Sequence, residues 1–179
     1  MSRQLFITIH LYLSSFFTAA VLLVATSGGL YLLGYSGETA KTEVATVDGG
    51  TALSTDSSPT AVSAILARAG ITDFSFDYVR GRGTTFYTRP TSEPHYILEI
   101  AGDAVTVTLA EPNLQRRMME LHMGHGPSWF KNFQKFFAAG MVFIILSGLW
   151  LGLSSARLRR NTLISAGTGL LVFVALLMS

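Results

Sequence analysis

The sequence predicts an α+β membrane protein: three transmembrane helices, with a small extracytoplasmic domain between the first and the second, built from one helix packed on an antiparallel sheet. Three observations carry this expectation. The stretches 5–34, 136–153 and 163–178 are apolar and hold no formal charge, and the first exceeds the roughly 20 residues that a bilayer requires. All eleven acidic residues fall between Glu38 and Glu120, so the middle of the chain is aqueous and its ends are not. Within that middle, short segments alternate apolar and polar side chains between turn signals, which is the pattern of antiparallel strands.

The first stretch, Leu5 to Leu33, reads as one long helix, tilted or projecting from the bilayer. A cleaved signal peptide is the competing reading, but its apolar core would be about 7–15 residues. Thr26-Ser27-Gly28-Gly29 makes a narrow face where another helix can approach. Residues 35–59 are rich in Gly, Ser, Thr, Asp and Glu and read as a linker with one strand at Thr42 to Val47. Asp56, Ser57 or Ser58 followed by Pro59 signals a helix start. Ala61, Ile65, Leu66 and Ala69 continue it at helical spacing, and Gly70 ends it, giving a helix over Pro59 to Ala69.

Ile71 to Val79 alternates with Phe74, Phe76 and Tyr78 on one side. Gly81-Arg82-Gly83 then turns the chain into Thr84 to Thr88, a hairpin. Pro90 to Pro94 interrupts, His95 to Ile100 alternates again, Ala101-Gly102-Asp103 is a tight turn, and Val105 to Leu109 closes the set. Three or four strands result. The aromatic-basic segment with Trp129, Phe130, Lys131, Phe133 and Lys135 settles at headgroup level and runs into the second apolar helix. With it, 35–130 forms the extracytoplasmic domain and its amphipathic junction. Arg3 and the acid-free loop with Arg157, Arg159 and Arg160 belong on the cytoplasmic side, which puts the domain and the C-terminus outside, in the periplasm of a bacterial inner-membrane protein.

Several function classes are excluded. The chain has no cysteine, so disulfides, thiolate metal sites, iron–sulfur clusters and cysteine nucleophiles are absent. The serines have no histidine and acid in a recognised context, and no phosphate-cradling glycine loop or carboxylate pair occurs. The basic residues of the middle domain form no stripe in sequence, which argues against nucleic acid. His95 reads as an ordinary exposed strand residue. Arg116 and Arg117 read as partners of Glu111 and Glu120, or of lipid phosphates.

Chemistry concentrates between Arg116 and Trp150. Met118 and Met119 precede His122 by four and three residues, which on a helix brings thioether and imidazole together. Soft thioethers with imidazole suit copper(I), whereas methionines at this spacing also fill apolar surfaces. His10 is ionisable within a membrane span, a functional hypothesis by default, with packing against a neighbouring helix as the alternative. Gly140, Ile144, Gly148 and Gly152 recur every four residues, implying a close helix partner: the first helix through Gly28-Gly29, or another subunit in a homo-oligomer or with a different membrane protein.

Leu121-His122-Met123-Gly124-His125-Gly126, the aromatic segment after it, and Leu146-Ser147-Gly148-Leu149-Trp150-Leu151 together resemble the PepSY-associated transmembrane helix family. The resemblance implies a histidine near the cytoplasmic end of the first helix, filled here by His10, and a PepSY-like domain outside, filled by Ala61 to Leu109. One departure stands out: the family's His-Arg-Trp is His10-Leu11-Tyr12 here. Larger relatives resemble haem-containing reductases of ferric siderophores that use membrane histidines as axial ligands, and other PepSY domains resemble propeptide-type protease inhibitors. The resemblance therefore implies haem b, with His10, His122 and His125 as candidate ligands. About 30 Å of hydrocarbon separates the levels assigned to His10 and His122, so one haem cannot take both from one chain, and a second chain would complete the site.

Two functions follow as expectations. One is a subunit, not catalytic alone, supporting extracytoplasmic electron transfer or metal reduction. The other is a membrane-anchored PepSY module without redox chemistry that binds a peptide, a protease or a membrane complex, through strand addition at a sheet edge.

Overall fold

A computed structural model describes residues 3–53 and 58–179. The helix-start candidates Asp56 and Ser57, and most of the Ser/Thr/Asp cluster that contains them, lie outside the described residues. The chain divides into two compact units, one of residues 21–134 and the other of residues up to 20 together with 135–179.

The 21–134 unit is built on a five-stranded antiparallel sheet in the order β1-β5-β4-β3-β2, with β1 Thr39–Asp48, β2 Tyr78–Arg82, β3 Thr85–Arg89, β4 His95–Ala101 and β5 Ala104–Pro112. The sequence implies three or four strands, and the fifth is β1, which is ten residues long where only Thr42 to Val47 alternates. As an edge strand it is exposed along most of its length, and a register shift between Glu43 and Ala45 breaks its alternation. A two-residue turn at Gly102-Asp103 joins β4 to β5, and Gly102 adopts φ +68°, a conformation that glycine meets without steric cost. The turn between β2 and β3 sits one residue later than expected, at Gly83-Thr84, because Gly81 and Arg82 pair with Phe86 and Thr85. Phe74 and Phe76 precede β2 in irregular backbone, so the expected strand from Ile71 is confined to its end. Their rings still pack on the core, Phe74 edge-on to Tyr96 at 4.7 Å.

One face of the sheet is closed by α3, Pro59–Arg68. Its N-cap is Ser58, whose hydroxyl accepts from Ala61 N at 3.3 Å, and Pro59 takes the first turn, where no N–H is needed. Val62, Ile65 and Leu66 recur at helical spacing and are buried against Phe86, Leu98, Val105 and Val107. Cutting one such leucine to alanine costs about 2–5 kcal/mol.

The second face carries no comparable core. Register places Arg80, Tyr87, Ile97 and Thr108 in one row across four strands, and His95, Ala110 and Lys41 in another. Beyond β5, α4 spans Leu114–His122, with the Asn113 side chain capping it from Arg116 N at 2.9 Å. The helical spacing on which the Met118, Met119 and His122 grouping depends is met by this element. The junction after it reaches Ser128, whose amide donates to Asp77 Oδ2 at 2.7 Å. The Ser128 hydroxyl and then this amide, both bonded to the Asp77 carboxyl, hold it below its ordinary value and set an anion at a helix N-terminus. Lys131, one turn on, bonds to the Tyr78 hydroxyl and lies over its ring.

The other unit is helical. The first apolar stretch does not form one continuous helix: α1, Arg3–Phe16, and α2, Thr18–Leu32, meet in a 53° bend. Thr18 Oγ1 donates to Ser14 O at 2.9 Å across the break, a side-chain bond that competes with the helical ladder and bends it. Phe17, fully buried, packs among Phe16, Phe136 and Phe137 and against Gly140, where a β-carbon would collide with its ring.

The second and third stretches are α5, Ser128–Leu153, and α6, Arg159–Leu177, each long and apolar enough to cross a membrane. The bent pair adds a third span if α1 and α2 count as one. None of α6 is buried, and Leu170, Leu171, Phe173, Leu176 and Leu177 are exposed, a surface that hydrocarbon would cover. The glycine stripe of α5 is used inside the chain: Gly140 receives Phe17, Gly148 receives His10, and Gly152 receives Thr162 of α6.

Candidate functional site

The open face of the sheet forms the floor of a cleft of about 760 Å³, with α4 and the junction after it as one wall. Lys41 comes from β1, Arg80 and Arg82 from β2, Arg89 from β3 and Arg116 from α4, joined by Thr39, Thr91, His95 and His125. Tyr87, Ile97 and Met123 supply its apolar surface. Five cations face a single carboxylate, Glu120.

Glu120 is 4 % exposed and organises this wall. Its Oε1 lies 2.6 Å from Arg116 Nη2, one turn earlier in α4, and its Oε2 accepts from Thr91 Oγ1 at 2.6 Å and from His125 Nδ1 at 2.7 Å. Arg89 Nη1 in turn donates to Thr91 Oγ1 at 2.6 Å and stands 3.8 Å from the carboxylate. Burial alone would raise the Glu120 carboxyl, but the bonds from Thr91 and His125 and the Arg116 charge outweigh it and hold the group below its ordinary value. The backbone closes the same loop, with His125 N donating to Glu120 O at 2.9 Å and Thr91 N to His125 O at 3.2 Å.

A carboxylate can only accept, so Nδ1 of His125 carries the proton that points to Glu120. His95 is 6 % exposed, contrary to the exposed strand residue expected of it, because its row of the sheet lies under this wall. Its Nδ1–H donates to Glu93 O at 2.9 Å. Burial pushes the imidazole below its ordinary value, against the opposing pull of the Glu93 carbonyl and the Glu120 charge, so it is neutral at pH 7. Arg116 pairs with Glu120 as expected, whereas Arg117 donates through Nε to Ser92 O at 3.1 Å.

Of the three candidate ligand histidines of the sequence reading, His125 stands in this wall on Glu120, and His10 and His122 lie elsewhere, one in each unit. His10 Nδ1 is 2.8 Å from Ser147 Oγ, with Gly148 beneath its Cε1, and His122 Nδ1 is 2.9 Å from Ser27 Oγ, with Gly28 beneath its Cε1. The same lock is built twice: a histidine seated on a Ser-Gly step of a helix. Each serine gives its one hydroxyl proton to its own helix, Ser147 to Ile144 O at 3.1 Å and Ser27 to Val24 O at 3.3 Å. A serine that gives its proton to its own helix accepts from the histidine Nδ1, and that tautomer leaves Nε2 as the open ring nitrogen. Neither pair is an activated nucleophile, since each serine is buried and no acid adjoins it among the described residues. Sequence reasoning missed these pairs because their members stand 137 and 95 residues apart.

Met118, Met119 and His122 share α4, with Met119 buried and Met118 half-buried. Among the described residues no group of three His, Asp or Glu side chains could hold a metal ion. The cleft residues Arg89, Thr91, His95 and Glu120 went unread as a site. The available signal was Arg80 and Arg82 at alternate positions, which puts both on one face of a strand opposite Val79.

Fold and cleft together define an α+β module carrying a basic concave surface, on a chain with apolar helices fit for a bilayer. Compared with protein-family models, with curated proteins and with solved structures, the chain matches none of them.

Proposed function

We propose that this chain is a membrane-anchored binding module of PepSY type whose extracytoplasmic sheet domain holds a ligand in the cationic cleft. The observation that carries the reading is the convergence of Lys41, Arg80, Arg82, Arg89 and Arg116 on one concavity whose lining holds one carboxylate, Glu120, with Glu43 and Glu99 on the same face of the sheet outside the lining. Like charges on neighbouring strands repel one another, and a fold has no structural need to gather them. A cleft with convergent polar groups over an apolar floor is the usual form of a small-ligand site. Arg3 and the acid-free loop with Arg157, Arg159 and Arg160 support a topology with both on the cytoplasmic side, the module in the periplasm of a bacterial inner membrane and the C-terminus on the same side.

Native mass spectrometry on the full chain extracted from its own membranes tests this reading. A co-purifying mass is expected on the wild type and on His10→Ala/His122→Ala, and is expected to be lost from Arg80→Gln/Arg82→Gln. Loss from the histidine variant alone would refute it.

A second reading, a subunit supporting extracytoplasmic electron transfer or metal reduction, is favoured by one observation: in both His10 and His122 a serine hydroxyl engages Nδ1, so Nε2 is the ring nitrogen left for a ligand. An oriented imidazole of this kind suits a haem iron or another metal. Each lock supplies one histidine, so a haem would draw its other axial ligand from a partner chain. A Soret band in the membrane-extracted protein that disappears in His122→Ala would support this reading, and its absence from wild type would remove it.

A further inference from the structure

We infer that the cleft is built for a polyanion whose binding groups are phosphates. This rests on the binding-module reading above and adds the chemistry of the ligand. Glu120 is fully engaged by Arg116, Thr91 and His125 and lies at one wall. It cannot neutralise the cations of the sheet edges. Among the described residues, Lys41, Arg80 and Arg82 form no ion pair with any carboxylate. Arg89, also in the lining, has a buried Nε with no acceptor, an unmet N–H of a kind that folded proteins seldom leave.

The spacing of the charges narrows the ligand. Lys41 is on β1 and Arg80 and Arg82 on β2, the opposite edges of the sheet, four strand intervals or about 19 Å apart. A single small anion cannot reach both edges, so the ligand carries several charges. Four of the five cations are arginines, and they come from three elements, β2, β3 and α4. A guanidinium fork pairs with carboxylate or phosphate, but a carboxylate accepts mainly in its own plane, whereas a tetrahedral phosphate accepts from several directions at once. Tyr87 and Ile97, central in the row between Arg80 and Thr108, leave an apolar floor on which an organic body or acyl stem can rest. Such phosphates come from two sources, a soluble polyphosphorylated compound or a phospholipid headgroup.

The experiment is isothermal titration of the full chain in a neutral maltoside detergent with three probes: inorganic tripolyphosphate, citrate, and dihexanoyl-phosphatidylglycerol below its micelle concentration. Saturable binding of tripolyphosphate or the short-chain lipid, weakening with salt, is expected, and the tighter of the two identifies the source. Arg80→Gln/Arg82→Gln should weaken it about tenfold or more, the loss of at least one charge-assisted bond. Both positions are exposed on an edge strand, so the fold survives, and an unchanged melting temperature verifies this. Citrate binding that exceeds both phosphate probes and responds to the same variant would overturn the phosphate assignment and leave the cleft as a binding site. Phosphate binding indifferent to the variant, or no binding of any probe, would overturn the inference.

Discussion

Glu120 holds the cleft wall together through both of its oxygens, and its removal has a defined consequence. In Glu120→Gln, Arg116 and His125 lose their counter-charge while the Thr91 bond can persist. The expected cost is about 2 kcal/mol, in the range of a hydrogen bond to a charged group, read as a lower urea midpoint for the full chain in detergent. Acid should act in the same place. His95 titrates below about 6.5 and Glu120 below about 4.5 in the folded chain, so in each case the unfolded chain binds the proton more readily. The His95 contribution is complete above about 6.5 and is lost as pH falls from there through its folded value. The Glu120 contribution is complete above about 4.5 and is lost on further acidification. Melting temperature should therefore fall in two stages as pH drops, and His95→Gln should flatten the upper stage alone.

At the scale of elements, the two His–Ser locks depend on glycine. A methyl group at Gly148 would lie 3.2 Å from His10 Cε1, and one at Gly28 would lie 3.3 Å from His122 Cε1. Gly148→Val and Gly28→Val should therefore unseat the imidazoles, and the displaced ring should show as a lost Nδ1–H signal in proton NMR of ¹⁵N-histidine-labelled protein. Gly140→Leu should be more damaging, because the fully buried Phe17 ring occupies that space. A fall in melting temperature larger than for Gly167→Leu, where nothing adjoins, is the expected result.

Most elements were legible in the sequence because one force dominates each. The α3 helix follows from Ser58-Pro59 and its apolar repeat, and the second and third spans from unbroken apolar runs. The first apolar stretch reads as one continuous helix because hydropathy does not register a Thr18-to-Ser14 side-chain bond. Strand β1 was short-read because an edge strand need not alternate.

For the whole molecule, the site was far less legible than the fold. Arg80, Arg82, Arg89, Lys41 and Arg116 are scattered through the sequence and look balanced by eleven acids. Only the strand order, which sets β1 and β2 at opposite edges and α4 beside β5, gathers the cations on one face and leaves most of the acids elsewhere. His10 stands out because it interrupts an apolar run, and His122 by its methionine spacing and the motif it shares with the resembled family, yet folding brings each onto a serine, a contact that also serves plain helix packing. Function thus divides between two predictions of opposite sign, cleft or histidines.

Hydrogen–deuterium exchange on the purified full chain, with and without a small-molecule and lipid extract of its own cells, separates them most directly. The account predicts slowed exchange in Tyr78–Arg89 and Leu114–His125, abolished by Arg80→Gln/Arg82→Gln and untouched by His10→Ala/His122→Ala. Slowed exchange that survives the arginine variant and vanishes with the histidines would contradict it.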